Sequence, residues 1–151
     1  MKAIVSVDED FGIGKNGNLL IHNKEDIKFF KETTIGHTVI MGRKTYFSLP
    51  NGPLKNRKNI VLTKSDFNDD GIVVCHNYID LIHLNDAFVI GGGETYNLFF
   101  PYYDEIYITK NKGRYNADTF FPRFNENCFK KELLIKGNNF EILKYTRLLN
   151  N

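Results

Sequence analysis

The chain has 151 residues, 42% of them hydrophobic and 25% charged, with 20 Lys+Arg against 18 Asp+Glu and a net charge of +2. This size predicts one domain over residues 1–151 with room for a real core, and the charge balance excludes the basic field that nucleic acid or an anionic membrane surface requires. Cys75 and Cys128 stand in no CxxC or metal spacing and point to reduced thiols in a cytoplasmic protein without a metal site; the N-terminus turns acidic too early for a signal peptide, and no apolar run is long enough to span a bilayer.

Residues 2–7, Lys-Ala-Ile-Val-Ser-Val, read as a buried first strand. Gly12-Ile13-Gly14-Lys15-Asn16-Gly17 is a literal GxGxxG, but a dinucleotide fingerprint places its glycines directly between strand and helix. Here Asn18-Leu19-Leu20-Ile21-His22 intervenes, so residues 9–23 are expected as a long glycine-jointed loop suited to a lid. Leu19, Leu20 and Ile21 are too apolar to lie free in water. Asn23 is a good N-cap for a helix over residues 24–34. Asp26, Ile27, Phe30 and Thr34 share one stripe of it. Asp26 has two readings: a first-turn acid serving cap and dipole, or a lone carboxylate facing an apolar pocket, its pKa raised by burial.

Residues 38–41 form a second strand, which meets Gly42 and a short helix over 43–49. Arg43 and Lys44 oppose the dipole at that helix start, a misfit that a bound anion would resolve. Pro50-Asn51-Gly52-Pro53 is a turn. A third strand covers 58–63 and ends in Thr63-Lys64-Ser65; a fourth covers 71–75, and a short helix 77–83. Ala87-Phe88-Val89-Ile90 then runs into Gly91-Gly92-Gly93 and a helix over residues 94–100. Glycines there allow close backbone approach, and the free N–H groups of a helix start suit phosphate. Two strand ends of this kind suggest a dinucleotide lying across the carboxyl edge of one sheet. Residues 105–110 are a strand with Ile106 and Ile108 on one face and Tyr107 and Thr109 on the other; 118–122 is a loop; 132–136 and 140–148 form a hairpin around Gly137-Asn138-Asn139. The expected fold is α/β: a mostly parallel central sheet of about eight strands with an antiparallel C-terminal edge strand and flanking helices.

Taken together, Gly12-Ile13-Gly14-x-x-Gly17-x-Leu19, the helix with Asp26 and Phe30, Val39-Ile40-Met41-Gly42-Arg43-Lys44-Thr45, Arg57-Lys58-Asn59-Ile60, Ile90-Gly91-Gly92-Gly93-x-x-Tyr96, Tyr107-x-Thr109 and Asp118-Thr119-x-Phe121-Pro122 stand in an order that resembles dihydrofolate reductase over nearly the whole chain. The resemblance implies reduction of dihydrofolate to tetrahydrofolate by NADPH, with hydride passing to pterin C6, by a monomer that antifolates also bind. It implies that Asp26 is catalytic at the pterin, buttressed by Thr109. Ile27, Phe30, Leu49 and Leu54 would hold the pterin and aminobenzoyl groups, Arg57 the glutamate carboxylate, and the carbonyls of Ile4 and Ile90 the pterin edge. Ser6, Ile13 and Leu19 would border the nicotinamide. Gly92, Gly93, Glu94 and Thr95 would cradle the pyrophosphate opposite Lys44 and Thr45, and Arg43, Thr63 and Lys64 would read the 2′-phosphate. Gly42, Leu62, Ile90, Gly91, Tyr96 and Thr119 complete the implied cofactor contacts, and the Gly91–Gly92 peptide is expected to be cis.

The chain departs from the family pattern after Leu19, where Leu20-Ile21 replaces the usual Pro-Trp; the sequence has no Trp at all. Ile21 fills space but cannot donate a hydrogen bond. Two rival readings share the fold: the pyrimidine reductase of riboflavin biosynthesis, against which Asp26 and Arg57 argue, and a non-catalytic NADPH-binding scaffold.

Overall fold

A computed structural model describes residues 1–149; positions 150 and 151 at the end of the expected domain lie outside the described residues. Its centre is an eight-stranded sheet. In chain order its strands are β1 (Lys2–Val7), β4 (Thr38–Gly42), β5 (Lys58–Leu62), β6 (Ile72–Cys75), β7 (Ala87–Gly91), β8 (Glu105–Asn111), β10 (Phe129–Lys136) and β11 (Phe140–Arg147). Their spatial order is β10-β11-β8-β1-β7-β4-β5-β6. All pairs from β8 through β6 are parallel, while β11 runs antiparallel to β8 and to β10. The sheet therefore carries an antiparallel pair, with β11 interior and β10 at the edge, rather than a single antiparallel edge strand.

Alternation along the strands produces two cores, one on each face. Ala3, Val5 and Val7 of β1 and Ile106 and Ile108 of β8 pack with Tyr96 and Phe99 of helix α3 (Gly93–Phe99). On the opposite face Ile4, Val39, Met41, Val61 and Phe88 pack with Phe29 and Phe30 of α1 (Lys24–Thr34) and Tyr46 of α2 (Arg43–Ser48). The period of two thus sends Ile4 and Ser6 of β1, with Tyr107 and Thr109 of β8, to the α1 side.

Further local expectations are corrected by the structure. Residues 9–23 are not wholly loop: β2 (Gly12–Lys15) and β3 (Asn18–Leu19) form a hairpin, which pairs with β9 (Thr119–Phe120) as a separate three-stranded sheet. The connection is Asn16-Gly17, both at positive φ (52° and 79°), the geometry of a two-residue hairpin turn. The same ribbon leaves Leu19 71% exposed, so the expectation that this leucine is sheltered fails, while Leu20 and Ile21 are half-buried. Second, the expected helix over 77–83 is one short 3-10 turn, Tyr78–Leu81, capped by the Asn77 side chain on the Ile79 N–H.

Candidate active site

Asp26 sits where α1 meets β1 and β8. Asn23 caps the helix by accepting from the Glu25 and Asp26 N–H groups at 3.0 and 3.2 Å. Asp26 therefore occupies the first-turn position that favours an acid, yet its carboxylate is turned towards the sheet. There it accepts a hydrogen bond from the Thr109 hydroxyl, and Ser6 stands beside Thr109 on the adjoining strand. Ser6 and Thr109 are register partners on adjacent parallel strands and share the face of the sheet that α1 covers. Burial pushes the Asp26 pKa up from its ordinary 3.8, and the hydroxyls of Thr109 and Ser6 oppose that rise. Among the described residues no cation pairs with Asp26. Both readings of this acid hold: the backbone uses the cap, and the side chain is left as a solitary carboxylate beside an apolar wall.

That wall comes from the α1-side core. Phe30, Leu49, Leu54, Ile90 and Tyr107 are half-buried against it, whereas Ile27, next to Asp26 on α1, is 56% exposed. One lone pair of the Ile4 carbonyl accepts from the buried Tyr96 hydroxyl at 2.7 Å. Arg57 lies at the far end of α1. Its Nε donates to the Lys55 carbonyl at 3.0 Å and its Nη1 to the Thr34 hydroxyl at 3.1 Å, itself fixed by donating to the Phe30 carbonyl. No carboxylate among the described residues pairs with it, and burial lowers its pKa. A partly desolvated guanidinium with spare N–H donors is built to receive an anion.

The glycine-tipped strands come together at the carboxyl edge of the sheet. β4 and β7 are neighbours, and a bulge between Ile40 and Met41 sets Met41 opposite Gly91, leaving Ile90 out of register. A Cβ on Gly42 would lie 2.9 Å from the Thr95 hydroxyl, and one on Gly93 would lie 2.8 Å from the Thr119 methyl. Thr45 Oγ1 is 3.5 Å from where a Cβ on Gly91 or on Gly92 would stand. Gly42, Thr45, Gly91, Gly92, Gly93, Thr95 and Thr119 are thus one cradle. The Gly91–Gly92 peptide is cis, as the resemblance implies.

Beside the cradle, Arg43 lies over the rings of Phe47 and Phe67 at 5.2 and 5.6 Å, while Lys44, Lys64 and Glu94 are exposed. Leu62 ends β5 and Thr63 follows it, bonded through its hydroxyl to Ser65 at 2.8 Å; Ile13 packs under the main core. Cations and hydroxyls at this end suit a phosphate monoester.

Sequence reasoning did not single out Asn111. Its buried side-chain amide touches Ser6, Val7 and Asn23. The signal was present, since a polar residue two places after Thr109 must share its face of β8.

Comparison with known proteins agrees with this geometry. The profile of the dihydrofolate reductase family matches residues 1–145. The dihydrofolate reductase of Bacillus subtilis (strain 168) is 39% identical over 132 residues, covering 84% of this chain and 78% of that protein. That of Staphylococcus aureus (strain Mu50 / ATCC 700699) is 36% identical over 126 residues, covering 82% and 79%. The solved structure of dihydrofolate reductase from Enterococcus faecalis, complexed with NADP(H) and RAB-propyl, superposes with a TM-score of 0.84 at 31% identity, over 97% of this chain and 95% of that one. The profile spans the residues that carry the carboxylate, the guanidinium and the glycine cradle, and with the relatives and the superposition it shows that this chain belongs to the dihydrofolate reductase family.

Proposed function

We propose that the protein reduces dihydrofolate to tetrahydrofolate with NADPH, using Asp26 as its one ionisable catalytic group. The observation that carries this reading is the solitary Asp26 carboxylate, desolvated, unpaired with any cation among the described residues, and held by the Thr109 hydroxyl at the carboxyl end of β8, with Ser6 of β1 alongside. Such an anion complements the donor edge of a pterin ring. By favouring positive charge on that ring it promotes protonation at N5 as C6 is reduced. Thr109 fixes the carboxylate's orientation. Phe30, Leu49, Leu54 and Ile27 offer the apolar walls for the pterin and aminobenzoyl rings, the Ile4 and Ile90 carbonyls accept from the pterin, and Arg57 takes the glutamate carboxylate.

The residues present fit the cofactor. Thr95 and Thr119 close so tightly on Gly42 and Gly93 that neither could carry a Cβ, which holds the two strand ends together; the N–H groups that open α3 at Gly92, Gly93, Glu94 and Thr95, with Lys44 and Thr45 opposite, would hold the pyrophosphate, and Gly91, Tyr96 and Thr119 would border it. Arg43, Thr63 and Lys64 would take the 2′-phosphate beside Leu62, and Ser6, Ile13 and Leu19 would border the nicotinamide. When bound, NADPH supplies the hydride; the chain's task is to orient the two partners and exclude water. The ribbon over residues 9–23 is read as the closing element. The free Cys75 and Cys128 thiols fit the reducing cytoplasm. No helix among the described residues is long and apolar enough to cross a membrane.

The test is direct: protein, NADPH and dihydrofolate are mixed and the loss of reduced-nicotinamide absorbance is followed. Turnover supports the reading; NADPH binding without turnover overturns it in favour of a scaffold. Two variants separate the ends of the site. Arg57→Ala is expected to raise KM for dihydrofolate by about 10- to 100-fold, the value of a charge-assisted pair, with kcat nearly unchanged. The same variant should bind a pterin lacking the glutamate tail as well as the parent does; an equal loss there would remove Arg57 from that role. Arg43→Ala is expected to raise KM for NADPH by about tenfold while leaving the much weaker use of NADH unaltered, because only the former carries the 2′-phosphate. Parallel losses with both nucleotides would assign Arg43 elsewhere.

A further inference from the structure

We propose that Asn111 is a positioning residue for Asp26: its side-chain amide turns the Ser6 hydroxyl towards the carboxylate and ties β1 to the cap of the helix that carries it. The inference rests on the reading of Asp26 given above and extends it.

All three polar contacts of the Asn111 amide are in use. Its Nδ2 donates to Ser6 Oγ at 2.9 Å and to the Val7 carbonyl at 3.0 Å, and its Oδ1 accepts from Asn23 Nδ2 at 3.2 Å. The amide cannot be reversed, because that would set its oxygen against the Val7 carbonyl and its nitrogen against the Asn23 amide nitrogen. A serine hydroxyl has one proton. With Asn111 occupying an acceptor lone pair of Ser6, that proton is left for the neighbouring carboxylate. Asn23 carries the run on, since its Oδ1 caps the Asp26 N–H at 3.2 Å. The result is a loop-like run of hydrogen bonds, Ser6–Asn111–Asn23–Asp26, that starts at the hydroxyl beside Thr109, the donor to the Asp26 carboxylate, and ends on the Asp26 backbone. Asn111 is buried, so replacing its amide by an apolar group leaves Ser6 free to turn its proton elsewhere.

The charged and titratable groups around the loop are few. Tyr96 of α3, on the other face of the sheet, stays neutral, its pKa raised by burial and then by the charge of Asp26. On the other side of Asn23 and Asn111 a hollow of about 360 Å³ is bordered by His22, Lys24, Glu25 and Lys112.

The experiment follows the Asp26 carboxyl by carbon-13 NMR in ligand-free protein, its signal assigned by its disappearance in Asp26→Asn. Asn111→Leu and Ser6→Ala are each expected to move the titration midpoint to higher pH, because each removes the same donor from the charged form. The double variant should titrate where Ser6→Ala does, whereas Thr109→Ala should add a further rise of its own. The Asp26-dependent limb of the pH profile of kcat/KM should move with the NMR midpoint. Asn111→Ser, which also lacks the amide, carries the same expectation should Asn111→Leu fail to fold. An unchanged midpoint in the Asn111 variants, or shifts that add in the double variant, overturns the relay. Absence of dihydrofolate turnover would instead overturn the proposed function, and the carboxyl titration would still decide the relay.

Discussion

Asp26→Asn is expected to cut dihydrofolate turnover at neutral pH by about 10²- to 10⁴-fold while the protein becomes more stable, not less. The activity loss follows from charge: asparagine keeps the size and an acceptor oxygen for Thr109 and Ser6, but no longer favours protonation of the pterin. The deficit should shrink as the solution is acidified, because bulk protons then supply what the anion promoted. The stability gain has a different origin. Burial raises the Asp26 pKa in the folded state above its ordinary 3.8, so between those two values the folded protein holds more proton than the unfolded chain. Stability contributed by Asp26 is fully present below the unfolded pKa and is lost as pH rises through the folded one. At neutral pH the ionised group is therefore a burden, relieved by the neutral amide. Thermal melts of both proteins across pH check this: the advantage of Asp26→Asn should grow from acid to neutral pH. Full activity in the variant would sink the catalytic assignment, and a lower melting temperature at neutral pH would sink the claim of an uncompensated buried charge.

Gly12→Ala is expected to lower kcat by about 10- to 100-fold with a modest fall in melting temperature, because the added methyl displaces the ribbon at its root. A Cβ on Gly12 would stand 2.3 Å from the Ala117 Cβ and 2.9 Å from Asp8 Oδ1. Neither neighbour can yield easily. Ala117 is a methyl set by its backbone, and Asp8 is buried and accepts from the Gly12, Asp10 and Tyr115 N–H groups at 2.7, 2.9 and 3.1 Å. The strain must move β2 away from β9, to which Gly12 is registered at Phe120. Stopped-flow measurement of a single turnover, beside NADPH binding, checks whether the loss lies in closure. Ala117→Gly should recover most of it in the double variant. Unaltered single-turnover rates in Gly12→Ala would show that the ribbon's seat does not matter to the chemistry.

Much of the architecture was legible because it depends on short-range rules. The helix over Lys24–Thr34 follows from an Asn cap and its apolar stripe, and its bounds agree with expectation. The strands ending at Gly42 and Gly91 follow from apolar runs halted by glycine. The ribbon at Gly12–Leu19 was missed although Asn16-Gly17 is a hairpin signal, because its strands are short and its partner Thr119–Phe120 is about a hundred residues away. The 3-10 turn at Tyr78–Leu81 was overextended because a single capped turn and a full helix begin alike.

Residue order by itself determined the kind of groups available: one acid on an apolar helix stripe, two glycine-ended strands, an arginine before the third strand. Tertiary structure alone decided what those groups face. Whether Asp26 serves only as a first-turn acid or also as a desolvated carboxylate depends on β1 and β8 lying side by side, so that Ser6 and Thr109 meet it across the register. Solvation and hydrogen bonding act through space, and Thr109, the hydrogen-bond partner of Asp26, is 83 residues away in the chain, so no local pattern could reveal its environment.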